Sequence, residues 1–257
     1  MHDFLKTIYR STEQRVQGLN LNTLREQAAH ARQPQNFLNI FKLHQFPIIA
    51  EIKFASPSAG VILKGATAVE IAQQYLANGA AALSILTEPE YFKGDITYLQ
   101  QVRKQFPDAY LLMKDFVLSE TQLLQGRIAG ADAILLIVAF LSETDLELLY
   151  HKALELSLTP LIEVHSEAEL TTALKLKPQL IGINNRDLRS LKINMSHSDT
   201  LISQIPQDVI AISESGITQS EQLVHLKQLG FQGFLIGSHF MKTGTPGVAL
   251  RNLLNNN

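Results

Sequence analysis

After residue 45 the chain alternates short aliphatic runs with longer segments, and this alternation is the feature that most limits its fold. Eight runs stand out: Pro47–Lys53, Ala81–Leu86, Tyr110–Lys114, Ala133–Val138, Pro160–Val164, Leu180–Asn184, Val209–Ser213 and Gly233–Gly237. They are rich in Ile, Leu and Val and start roughly 20 to 35 residues apart, the length of a strand with its returning helix. Between them lie segments of helical periodicity. Thr67–Asn78 stops at Gly79 and Ser220–Leu229 at Gly230, each glycine being suited to the position just past a helix. The pattern is that of a parallel α/β sheet with helical crossovers.

Eight such units can build an open sheet or close into a barrel, and the polar residues separate the two. Nearly every run ends in a polar side chain: Glu51 and Lys53, Ser84 and Thr87, Lys114, Glu163, Asn184, Glu214 and Ser215, Ser238. An open sheet would string these along an edge. A barrel gathers them at its C-terminal mouth, where this architecture carries its active sites. The expected fold is therefore α/β, a (β/α)8 TIM barrel with an N-terminal helical extension. Residues 1–257 form one barrel domain and residues 1–45 the extension, which caps the bottom or flanks the mouth. The size agrees: 257 residues, 46% of them hydrophobic, suffice for one large core.

Charge and composition exclude several functions. The formal net charge is −2, so there is no global attraction to nucleic acid or to an anionic membrane, and phosphate recognition must be local. The absence of cysteine removes disulfides, thiol nucleophiles and cysteine-ligated metals. The histidines are scattered, with no pair at i,i+4, so no metal is expected. The N-terminal segment carries charges where a signal peptide would be apolar, and the longest apolar run, Ala131–Leu141, is too short to span a bilayer. A cytoplasmic protein follows, a monomer with a homodimer as the alternative. The Asn255–Asn257 tail reads as disordered.

The residues able to carry chemistry sit at the run ends. In IIAEIKFASPSAG, Glu51 and Lys53 point to the same side of a strand, roughly 6.6 Å apart along it. They are a buried ion pair or part of a site, and the Ser56-Pro57-Ser58 loop that follows favours a site. Lys114 closes an apolar strand, where burial would lower its pKa toward the range useful in proton transfer. Glu163 beside lysines would stay ionised and accept a proton. Asn184 offers both a donor and an acceptor. Two glycine turns, Glu214-Ser215-Gly216 and Ile236-Gly237-Ser238, follow the last two strands, where backbone amides can cradle a phosphate.

With these residues laid out, the chain resembles the indole-3-glycerol-phosphate synthase family. The matching words are IIAEIKFASPSAG, YLANGAAALSILTEPEYFKGD, LLMKDFVL, AGADAILLIVAFL, LIEVHSEAEL, IGINNRDL, ISESGI and LIGSHFM, in the family's order. Phe54 and Ala59 stand where the family often has basic residues. The resemblance implies a phosphorylated small-molecule substrate, 1-(o-carboxyphenylamino)-1-deoxyribulose 5-phosphate, closed to indole-3-glycerol phosphate with loss of carbon dioxide and water. It implies no cofactor. By the same carry-over Lys114 is the general acid at the ketone oxygen. Lys53, oriented by Glu51, bridges the anionic ends of the substrate and serves the dehydration. Glu163 is the general base. Which lysine serves which step stays open, because their titrations are coupled. Asn184 and Glu214 would hold sugar hydroxyls, and Ser56 and Ser215 would place the substrate. Gly216, Gly237, Ser238 and Lys53 would hold the phosphate. Phe116 and Ile137 would wall the aromatic ring. Arg186 is either a clamp on an anionic group or an outward salt bridge. Two rivals stand beside this reading: another phosphate-binding barrel, such as a Schiff-base aldolase, and a silent binding barrel. The mixture of proton donors and acceptors argues against the second.

Overall fold

The computed structural model describes residues 3–187 and 190–255; Met1, His2, Leu188, Arg189, Asn256 and Asn257 lie outside them, and with them most of the expected Asn tail. Each aliphatic run overlaps a strand, the fifth strand starting one residue before its run: β1 (Ile48–Ile52), β2 (Ala82–Leu86), β3 (Leu111–Lys114), β4 (Ala133–Ile137), β5 (Thr159–Val164), β6 (Leu180–Asn184), β7 (Ile210–Glu214) and β8 (Gly233–Ile236). All pair in parallel in chain order, and β8 returns to β1 to close a barrel. The seventh run is displaced by one residue from its expected bounds. Val209 donates its N–H to Pro206 O at 3.0 Å in the preceding turn, and Glu214 joins the strand, paired with Asn184.

Because strand side chains alternate, the barrel has two cores. Outward residues such as Ile48, Leu83, Met113, Leu136, Ile162, Ile183 and Phe234 pack beneath the helices. Inward residues Ile49, Leu112, Leu135, Leu161, Ile212 and Leu235 fill the barrel, and Phe37 and Ile40 join them. Each large aliphatic side chain so buried contributes about 1.5–3 kcal/mol. Helices α1 (Asp3–Val16), α2 (Leu21–His30) and α3 (Ile40–Leu43) precede the barrel, and the crossover helices are α4 (Ala68–Ala77), α5 (Ile96–Gln105), α6 (Glu120–Ala129), α7 (Glu143–Glu155), α8 (Glu167–Leu174), α9 (Ser196–Leu201) and α10 (Ser220–Leu229). After β8 come the short α11 (Ser238–Met241) and α12 (Pro246–Asn255), so the first residue of the expected tail is helical. Local signals set the ends of α4. Thr67 and Glu70 form a capping box, and past Asn78 the chain turns at Gly79, whose φ of +95° is open to glycine.

The N-terminal extension does both things expected as alternatives. Helix α1 (Asp3–Val16) flanks the mouth: Arg15 pairs with Asp115 at 2.7 Å, just past β3, and donates to Thr87 O, just past β2. Helix α2 (Leu21–His30) then descends beside α6, with Arg25 on Glu120 at 2.9 Å. The chain reaches the bottom where Gln35 N–H donates to Asp132 at 2.8 Å, immediately before β4. Phe37 meets Tyr110 there, at the foot of β3.

Candidate active site

At the mouth the inward positions turn from aliphatic to charged, and a cavity of about 480 Å³ opens. Every site residue expected from the sequence lines it: Glu51, Lys53, Ser56, Lys114, Phe116, Ile137, Glu163, Asn184, Arg186, Glu214, Ser215, Gly216, Gly237 and Ser238. They come from β1, β3, β4, β5, β6 and β7, from the loops that follow β1, β3, β6 and β7, and from the turn after β8, so only barrel closure brings them together.

Lys114 is the centre of the cluster. Its Nζ donates to Glu163 Oε2 at 2.9 Å and to Glu214 Oε2 at 3.2 Å. Beside it Lys53 Nζ lies 2.6 Å from Glu51 Oε1. The expectation of a lowered lysine pKa is overturned. Burial does disfavour the Lys114 ammonium, but the charges of Glu163, Glu214 and Glu51 outweigh it and hold its pKa above the ordinary lysine value. Lys114 is thus a fully loaded proton donor rather than a neutral amine. For Glu163 burial is likewise overcome, by Lys114 and His165, and its pKa lies well below the carboxylate range. Glu51 is lowered too, by Lys53 and Lys114 acting against burial. Glu214 behaves oppositely: burial and the neighbouring Glu163 outweigh Lys114 and push it up to about 8.

Glycines make room for this cluster. Gly182 faces inward on β6, and a Cβ there would run into Glu214 Oε1. At Gly237 a Cβ would come within 2.6 Å of Glu51 Oε1. Gly216, at φ +90°, closes the turn after β7 in a conformation that favours glycine, and a Cβ would meet Ile193 at 2.8 Å. Ser215 beside it also has a positive φ, +66°. This turn is held from behind by Asn185, whose amide donates to Ser213 Oγ and to the carbonyls of Glu214 and Ser215, each at 3.1 Å. Gly237 and Ser238 open α11, whose first amides have no carbonyl within the helix to bond.

The cavity's other wall is apolar. Phe92, Phe116, Leu135 and Ile137 line it, with Phe116 packed on Phe92 at 5.9 Å and on Phe140 at 5.2 Å. Glu88 fixes the loop that carries Phe92 by accepting the N–H groups of Glu90, Tyr91 and Phe92. Arg186 faces inward, donating to Leu191 O at 2.8 Å, so of its two expected orientations the cavity-facing one is found. Phe54 packs edge-on against Tyr98 at 5.5 Å, a use the sequence did not suggest.

Sequence reasoning missed Asn185, Gly182, Phe92 and His165. The signals for two were present: a glycine inside a strand marks a close approach, and His165 follows Glu163 by two residues at a strand end.

A closed parallel barrel with a charged lysine between two buried carboxylates, and a glycine-lined turn beside it, defines an enzyme of the (β/α)8 class equipped to move protons. Comparison with known proteins narrows the class. The family model described as Indole-3-glycerol phosphate synthase matches residues 2–253, and the chain belongs to that family of carboxy-lyases. The indole-3-glycerol phosphate synthase of Acidithiobacillus ferrooxidans is 44% identical over 244 residues, covering 93% of this chain and 92% of that protein. Its counterpart from Salinibacter ruber is 37% identical over 254 residues, covering 98% and 94%. Among solved structures, KGPDC from Streptococcus mutans superposes with a TM-score of 0.63 at 11% identity, over 82% of this chain and 97% of its own. The 3-hexulose-6-phosphate synthase from Salmonella typhimurium gives 0.64 at 11%, over 82% and 99%. At such identities these two structures bear on the fold alone. Among the described residues no helix is long and apolar enough to cross a membrane.

Proposed function

We propose that this chain converts 1-(o-carboxyphenylamino)-1-deoxyribulose 5-phosphate to indole-3-glycerol phosphate, carbon dioxide and water, the tryptophan-pathway step for which its family is named. The observation that carries the reading is Lys114 held as an ammonium between Glu163 and Glu214 inside a cavity with one apolar and one amide-rich wall.

The aromatic ring lies against Phe92, Phe116, Leu135 and Ile137, and the phosphate at the Ser215-Gly216 and Gly237-Ser238 turns with Lys53. In that pose Lys114 protonates the ketone oxygen as the carboxylate-bearing ring carbon attacks the ketone carbon. Loss of carbon dioxide restores aromaticity. Lys53, oriented by Glu51, then protonates the departing hydroxyl, and ionised Glu163 takes the proton whose removal completes the indole. Asn184 and Glu214 hold sugar hydroxyls, Ser56 and Ser215 place the chain, and Arg186 clamps an anionic group. Every proton has a side-chain donor or acceptor, so the scheme uses no cofactor. The protein works in the cytoplasm as one barrel domain with its N-terminal extension, as a monomer, and without nucleic acid.

A fluorescence assay for indole-3-glycerol phosphate tests this directly. Wild type should turn over. Lys114→Ala and Glu163→Gln should each lose about 10²–10⁴-fold in kcat, the usual worth of a positioned acid or base. A folded wild-type protein without turnover would overturn the reading. A lysine adduct trapped by borohydride would support an aldolase instead.

A further inference from the structure

Lys114 bonds two buried carboxylates at similar distances, Glu163 at 2.9 Å and Glu214 at 3.2 Å, so the lysine alone does not distinguish them. What differs is the far side of each. Behind Glu214, Oε1 is buried with no hydrogen-bond partner among the described residues and faces Gly182. Behind Glu163, Oε1 lies 3.3 Å from Nε2 of His165, a contact of charge rather than of hydrogen-bond geometry.

His165 is held there by its own turn. β5 ends at Val164 and α8 begins at Glu167, with Ser166 capping the helix through Glu169 N–H at 3.3 Å. The Glu169 carboxylate reaches back to accept the His165 backbone N–H at 2.8 Å and sits 3.3 Å from the ring Nδ1. The imidazole is thus wedged between Glu169 on its outer side and Glu163 on its inner side. Burial disfavours its charged form, but these two carboxylates outweigh that and raise its pKa to about 9. The turn Val138–Phe140, which packs against α8, adds no titratable side chain. On the cavity side His165 meets Glu163, and beyond it stands Lys114 from β3, which Glu214 from β7 and Glu51 from β1 also face.

We propose that His165, fixed by Glu169, decides which of the two carboxylates on Lys114 is ionised, making Glu163 the base and leaving Glu214 to hold the proton. The Coulomb argument is direct. Three carboxylates share the cavity with Lys114 and Lys53, and one further cation, His165, stands behind Glu163, whereas among the described residues none stands behind Glu214. His165 touches no reacting atom in this arrangement and is a positioning residue. The inference deepens the function proposed above and rests on it for the name of the base, but the ionisation pattern exists in the free protein.

Two measurements therefore test it separately. Difference infrared spectroscopy near neutral pH reads the protonated carboxyl. In wild type Glu214→Asp, which keeps both groups ionisable, should shift the band, whereas in a His165→Asn background Glu163→Asp should shift it instead, because Glu163 now takes the proton. In the second measurement, the acid limb of the kcat/KM pH profile should move up by about one to three pH units in His165→Asn, the usual effect of losing an opposite charge. Activity should recover as pH rises. Glu169→Gln, which keeps an amide oxygen for the His165 N–H, should give a smaller shift the same way and serves where His165→Asn misfolds. An infrared band that still belongs to Glu214 alone in His165→Asn, or a loss of activity equal at every pH with the limb unmoved, would overturn the proposal. If wild type makes no indole-3-glycerol phosphate, the function fails and the infrared result still stands on its own.

Discussion

Gly182 shows how little separates this site from an ordinary barrel core. Its neighbours along β6 are Ile181 and Ile183, both outward; at the inward position between them there is no side chain, and the space belongs to Glu214 Oε1. Restoring a methyl group sets it against that oxygen and, at 3.3 Å, against Leu161 Cδ1. We expect Gly182→Ala to destabilise the protein by about 1–3 kcal/mol, as overpacking does, and to reduce kcat by displacing Glu214 from Lys114. Combined with Glu214→Ala, the same methyl group should cost much less, because its obstacle is gone. Denaturant melts of the two single variants and the double variant give the coupling, and additive costs would show that Glu214 is not what Gly182 accommodates.

The N-terminal segment works as two separately anchored elements, and the anchors differ in depth. At the mouth Arg15 is partly exposed on Asp115. At the bottom Asp132 is fully buried and accepts Arg103 Nη2 at 2.5 Å, Leu111 N–H at 2.9 Å and Gln35 N–H at 2.8 Å. Removing one partner of such a network leaves the other charge buried, so Asp132→Ala should cost about 3–5 kcal/mol of stability. Because Asp132 lies at the far end of the barrel from Lys114, activity per folded molecule should stay near wild type. A urea melt beside an active-site titration checks both halves. The elements themselves were largely legible in the sequence, since strands buried on both faces are written as unbroken Ile/Leu/Val runs and their polar ends mark the mouth. What could not be read is whatever depends on meeting between elements. Asp132 looks like a polar interruption before β4 until Arg103 and Gln35 arrive from α5 and the extension. Likewise the lowered lysine pKa expected for Lys114 follows from its burial, and fails only because closure sets Glu163, Glu214 and Glu51 around it.

Across the whole molecule, charges buried at one mouth make stability depend on pH with opposing signs. Glu163 and Glu51 are held below the ordinary carboxylate value of 4.5, so their contribution is present above about pH 4.5 and is lost as pH falls through their folded values. Glu214, raised to about 8, contributes stability that is whole below 4.5 and is lost as pH rises through 8, since the unfolded chain ionises first. His165, raised from 6.5 to about 9, contributes fully below 6.5 and is lost by about 9. Both losses overlap between 6.5 and 8, where the melting temperature should fall most steeply. Glu214→Gln, which cannot ionise, should flatten the curve between 4.5 and 6.5 and leave only the His165 slope from 6.5 to 9, whereas His165→Asn should leave only the Glu214 slope, which ends near pH 8. Thermal melts of the three proteins from pH 4.5 to 9 resolve this. A Glu214→Gln curve parallel to wild type throughout would mean that Glu214 is already ionised in the folded protein. Lys114 would then face two charged carboxylates instead of one, and the division of labour between Glu163 and Glu214 would have to come from the bound substrate.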